Sequence, residues 1–232
     1  MVLMILTNVG QLTTNIVARN ISIARLNLVN PNNLLRTAPD IASEVAKALG
    51  LTNGQTLSPP QQVKWGLYSH CAYYGNNNPV CTPRGFGQQF DPVKALTTDM
   101  GLTFSSGINS LYESDKRISN LHEKSVAAFY LVFLGTIFAG IAFLVTCLIH
   151  MSALVIAAFF SFLSFAILVC GAAIWTYIVH RFKDISAAPY EFDYGVSLWF
   201  VWTSVACTLF AIPALASGSL ASRRRYYEEP YY

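Results

Sequence analysis

SVAAFYLVFLGTIFAGIAFLVTCLI, Ser125–Ile149, runs the width of a bilayer without one charged side chain. A spanning helix needs about 20 mostly apolar residues to cross a hydrocarbon core of about 30 Å. Working outward, Ser152–His180 supplies a second such stretch and Tyr194–Ser217 a third. No Asp, Glu, Lys or Arg falls between Ser125 and His180, or between Tyr194 and Ser222. A helix of a soluble core shows polar residues on its outward face at every turn. These do not, so lipid on all sides is their simplest solvent. His150 and Met151 separate the first two spans, which predicts a tight helical hairpin. Pro213 is expected to kink or end the third near the far interface. Trp175, Tyr177, Trp199 and Trp202 fall toward one membrane face, the depth that amphipathic rings favour. Gly135 and Ala139, and Ala153 and Ala157, are small residues four apart that permit close helix approach, within one chain or between copies. Cys147, Cys170 and Cys207 lie inside the apolar helices and read as small packed hydrophobes.

The remaining charge is placed unevenly. Of 232 residues 53% are hydrophobic and 12% charged, against roughly 25% charged in an ordinary soluble domain. The net charge of +3 is spread thinly, so no nucleic-acid partner is expected. Most charges precede Ser125, which predicts a water-facing domain over 19–124 joined to a bundle of spans at 125–149, 152–180 and 194–217. Residues 1–18 start apolar and are then diluted by Thr7, Asn8, Gln11, Thr13, Thr14 and Asn15. They lack the basic start and small-residue cleavage site of a signal peptide. They read as a weak or partial first transmembrane helix, one explanation being a misplaced start codon. Arg223, Arg224 and Arg225 follow the last span directly, and such clusters stay cytosolic. The segment 218–232 is therefore read as a cytosolic tail, with the 181–193 loop and the 19–124 domain outside. The same arginines could touch anionic lipid, at about 1 kcal/mol per basic residue.

Cys71 and Cys81 are the only cysteines of the outer segment. On the oxidising side of a membrane such a pair reads most simply as a disulfide, and closing so short a loop contributes roughly 2–3 kcal/mol in the chain-entropy model. The competing arrangement, a zinc site with His70, has two thiolates, one imidazole and no fourth ligand nearby. Around the pair, Val63, Trp65 and Leu67 alternate and predict a half-buried strand over Gln61–Ser69. Gly75 to Pro79 is turn chemistry. Pro39–Leu49 reads as a short helix ending at Gly50, and Asp91-Pro92 opens another. Ile108, Leu111, Ile118 and Leu121 recur at helical intervals into the first span. Asn20-Ile21-Ser22 is a glycosylation sequon. The domain is thus small, mixed and stapled once.

Signals for catalysis are lacking: no nucleophile–base grouping, no His-Glu-x-x-His helix and no phosphate-cradling glycine loop occurs. Asp91, Asp99, Glu113, Asp115 and Glu123 are scattered and read as solvated surface. His150 and His180 fall at helix ends, where they read as wet structural residues and not as members of a conducting pathway. No catalytic residue, metal or cofactor is expected.

Gly66-Leu67-Tyr68-Ser69-His70-Cys71, nine residues, then Cys81 resembles the claudin-type signature of Gly-Leu-Trp, two residues, Cys, eight to ten residues, Cys. The fold implied is a claudin-like, mainly helical bundle of four transmembrane helices, the first weak or truncated, with a small mixed extracellular domain. Within that group the chain looks most like the fungal Sur-seven/PalI family. The stretch from Gly85 through Phe86, Phe90 and Asp91 to Pro92 is similar to a feature of that family, and the sharp part of the likeness runs from Trp65 to Pro92. Tyr68 stands where the animal signature has tryptophan, and no Trp precedes Trp65, which speaks against a paracellular junction. The resemblance implies a multi-pass plasma-membrane protein of eisosome-type cortical domains, linked to cell-wall integrity, endocytosis or ambient-pH sensing. Its partners would be membrane lipids and other membrane or cortical proteins, with self-association open. The alternatives are a Fig-type regulator of calcium influx and cell fusion, or an accessory subunit of a channel or transporter.

Overall fold

The computed structural model describes residues 2–9, 20–28, 62–73, 79–82, 85–87, 90–92, 115–148, 151–185 and 190–228. The expected short helix at 39–49 lies outside these, as do most of the 75–79 turn and the residues following Pro92.

Three long helices dominate: α2 (Asp115–Thr146), α3 (Met151–Ile185) and α4 (Val196–Glu228), preceded by a short α1 (Val2–Val9). Stretches of 26, 33 and 23 residues within the long helices are apolar enough to cross a bilayer. At about 1.5 Å per residue the long helices measure roughly 50 Å, so their ends project beyond the hydrocarbon. The turn after α2 is tight: Cys147 and Leu148 donate to the carbonyls of Leu144 and Val145, three residues back.

α2 and α3 meet where side chains are small. A Cβ on Gly135 would lie 2.6 Å from Leu168 Cγ, and one on Gly171 3.0 Å from Val132 Cγ2. At this crossing Ser164 Oγ donates to the Gly135 carbonyl, 2.8 Å, a bond made away from water. Ser164→Ala should lower stability by about 0.6 kcal/mol, the mean for hydrogen bonds between membrane helices. Thermal unfolding in detergent would check this. Ala153 and Ala157 are buried inside this chain as well.

Among the described residues five strands form one antiparallel sheet at one end of the bundle: β1 (Ala24–Leu28), β2 (Gln62–Trp65), β3 (His70–Tyr73), β4 (Val80–Cys81) and β5 (Tyr190–Tyr194), in the order β4-β3-β2-β1-β5. Several boundaries differ from the sequence reading. The strand expected over 61–69 stops at Trp65, because Gly66 N–H donates to the Ser69 carbonyl at 2.9 Å and reverses the chain. The segment expected as a loop at 181–193 is the end of α3 followed by β5, which pairs with β1 along its length. By contrast, α2 starts at Asp115 and runs through 118 and 121 into the span, as the helical spacing there predicts. The third span does not end at Pro213: the helix continues to Glu228. In lipid the remaining backbone bonds have no alternative partner, and a spanning helix tolerates one proline. Residues 218–228 therefore prolong α4.

The thiols of Cys147, Cys170 and Cys207 are exposed on the bundle's surface, so the packing expected of them is not found. Trp175 also departs from expectation. It is buried between sheet and bundle, while Tyr177, Trp199 and Trp202 face outward. Trp202 Nε1 donates to Thr176 Oγ1, 3.0 Å, tying α4 to α3.

Candidate functional site

The residues that carried the resemblance gather where the sheet sits on the helices. Antiparallel pairing of β3 with β4 puts Cys71 directly opposite Cys81, and the two form a disulfide. With both sulfurs so bonded, the zinc alternative has no thiolates. His70 instead places Nδ1 3.3 Å from Thr82 Oγ1. No group of three or more His, Cys, Asp or Glu able to hold a metal occurs among the described residues.

Trp65, Gly66, Leu67 and Tyr68 end β2 and form the hairpin tip. Trp65 stacks on Phe192 of β5 (centroids 5.8 Å) and meets Phe90 edge-on at 5.5 Å. Phe90 in turn meets Trp175 and Phe182 of α3 at 5.7 and 5.4 Å. One aromatic chain thus links the sheet to the bundle. Between Trp65, Ser69, His70, Phe90 and Trp175 lies a cavity of about 10 Å³, close to the minimum that admits one water.

Tyr68 reaches furthest down. Its ring packs edge-on against Phe129 of α2 at 5.2 Å, and its hydroxyl donates to Asn8 Oδ1 at 3.2 Å. Burial raises its phenol above the ordinary value. Asn8 Nδ2 donates to Thr136 Oγ1 (3.0 Å) and to the Met4 carbonyl (2.8 Å), while Thr7 Oγ1 donates to the Leu3 carbonyl. Thr7 and Asn8, the polar residues within α1, therefore have partners in the helix, in α2 and in the hairpin tip. A tryptophan at 68 has no acceptor site to offer and could only donate to Asn8.

Asp91, expected as solvated surface, is half-buried 3.7 Å from His122 Nε2. Beside it, Phe90 N–H donates to Ser125 Oγ at 3.0 Å. Pro92 is helical and buried, and the rest of the helix it was expected to open lies outside the described residues. Asn20 is exposed, whereas Ile21 and Ser22 of its sequon are buried. Arg223, Arg224 and Arg225 lie on the helical extension of α4.

The disulfide, its aromatic seat, α2, α3 and the first half of α4 lie within residues 1–212, which match the family model for SUR7/PalI. The chain belongs to the SUR7/PalI family. No curated protein matches it significantly. The SUR7/PalI family is one of membrane proteins not known as enzymes. In this SUR7/PalI chain the motif explains itself mechanically: the disulfide fastens β4 to β3, and the turn between β2 and β3 sets Tyr68 against Phe129 of α2. Cys71→Ser should cost about 2–3 kcal/mol, seen as a lower melting temperature in detergent. Mass spectrometry of non-reduced peptides from the unaltered chain should find Cys71 linked to Cys81.

Sequence reasoning missed Asn8, Trp175 and β5 as parts of this site. Tyr190-Glu191-Phe192-Asp193-Tyr194 alternates aromatic with acidic, the period-two signal of a half-buried strand. Nothing local marked Asn8 or Trp175.

Proposed function

We propose that the chain is a non-catalytic organiser of the plasma membrane, acting in cortical domains of the eisosome type and through them in cell-wall integrity, endocytosis or ambient-pH sensing. One observation supports this most: β5, the connection between α3 and α4, is hydrogen-bonded to β1 and completes the sheet. The sheet is thereby attached through the first segment, through α2 and between the last two spans. A platform tied in this way presents a fixed surface beside the membrane, suited to holding lipids and neighbouring proteins in place. Self-association would serve the same end.

The sheet faces outward and the C-terminus inward in this reading, supported by the arginines at 223–225. Protease added to intact cells should then cut within 19–124 and spare the end of the chain. Cleavage of the end with 19–124 protected would invert the orientation. Fluorescent tagging in the native cell tests the function itself. Static cortical patches are expected. An even, freely diffusing rim would contradict the organiser, and concentration at mating tips would favour the regulator of cell fusion.

A further inference from the structure

The turn Gly85-Phe86-Gly87 leaves the sheet and descends along α2. Phe86 packs edge-on against Phe129, Tyr130 and Phe133, with centroids 5.0, 5.8 and 5.2 Å away. The last charged residue of α2 is Lys124, and none follows to its end. At about 1.5 Å per residue, Phe129 and Phe133 lie roughly 7 and 13 Å further along the axis, inside the uncharged stretch. Phe86 nevertheless keeps 60% of its surface uncovered by protein. It continues a stripe of exposed residues on α2, Tyr130, Leu134 and Ile137, spaced as one helix face. That face belongs to a span and looks into lipid.

Non-helical chain at membrane depth lies against protein, which supplies partners for its polar groups, and this turn is joined to the sheet at its start. Gly85 N–H donates to the Tyr68 carbonyl at 2.9 Å. Gly87 has φ +70°, and a Cβ there would lie 3.1 Å from Tyr130 Oη. Glycine thus lets the turn lie flat on the helix with only the Phe86 ring standing out.

We propose that this turn is an intramembrane wedge. Phe86 occupies the acyl-chain region of the leaflet on the sheet's side, so the disulfide-bearing domain contacts lipid directly through it. The partner is phospholipid acyl chain, recognised by shape and apolarity alone. The wedge does not depend on the organiser reading; it depends only on the depth of α2.

Phe86→Trp, reconstituted in vesicles and differenced against the unaltered chain, tests it. The added emission should be lost to lipids brominated on their acyl chains and spared by aqueous iodide. Quenching by iodide would put the turn in water. Quenching by neither would mean that protein, such as a second copy, covers Phe86. Either result overturns the proposal. Should the tryptophan variant lose its cooperative melt, para-cyanophenylalanine at 86 keeps the ring, and its nitrile stretch should take the hydrocarbon and not the aqueous frequency.

Discussion

Trp65→Ala will detach the sheet from the bundle at a cost of about 3–5 kcal/mol, the range for truncating a buried large aromatic. The ring is 4% exposed and sits between β5, the segment at Phe90 and His70 of β3. No neighbour is free to fill the space, since Phe90 and Phe192 are themselves held by Phe182. Against a total stability of about 5–15 kcal/mol this is a large share. Limited proteolysis in detergent should cut the sheet-bearing segment of the variant under conditions that leave the parent intact. The helices should stay in the membrane, since lipid surrounds them irrespective of the sheet. Equal protease resistance would show that the aromatic seat is not what holds the sheet.

Gly195→Val should be nearly as damaging, at about 3 kcal/mol, the upper range for overpacking. Gly195 lies between β5 and α4, where its N–H donates to the Ile23 carbonyl at 2.7 Å and Ser197 N–H donates to the Ser22 carbonyl at 2.8 Å. A Cβ there would overlap the backbone carbonyl of Ser22, and backbone cannot turn aside as a side chain does. The expected readout is a lower melting temperature with loss of the β1–β5 join, while Gly218→Val, in more open surroundings, should leave the melt in place. Equal melts for the two variants would contradict this packing.

Much of the fold was legible because lipid imposes a simple rule: the uncharged runs from Ser125 to His180 and from Tyr194 to Ser222 have no alternative solvent. The disulfide was legible because two cysteines stood alone outside those runs. Helix ends were less so. The projecting turn at 181–185 carries charge and looks like loop, although helix continues through it on the strength of its own hydrogen bonds. β5 was hidden by its setting, since a short stretch between two spans reads as a connection until its partner β1, more than 150 residues away in sequence, is known. The site was half legible. Trp65 to Cys81 announced itself as a motif, but its seat on Trp175, Phe129 and Asn8 depends on tertiary packing. Asn8 even counted against the first helix, because its bonds to Thr136 and Tyr68 cannot be seen in the sequence.

Alkaline carbonate extraction of native membranes tests the central claim most directly, because it strips proteins held by surface contacts and leaves those embedded in hydrocarbon. The chain should remain entirely in the membrane pellet with its Cys71–Cys81 bond intact. Its release into the aqueous supernatant would contradict the spanning helices, and with them the sheet's place at the membrane.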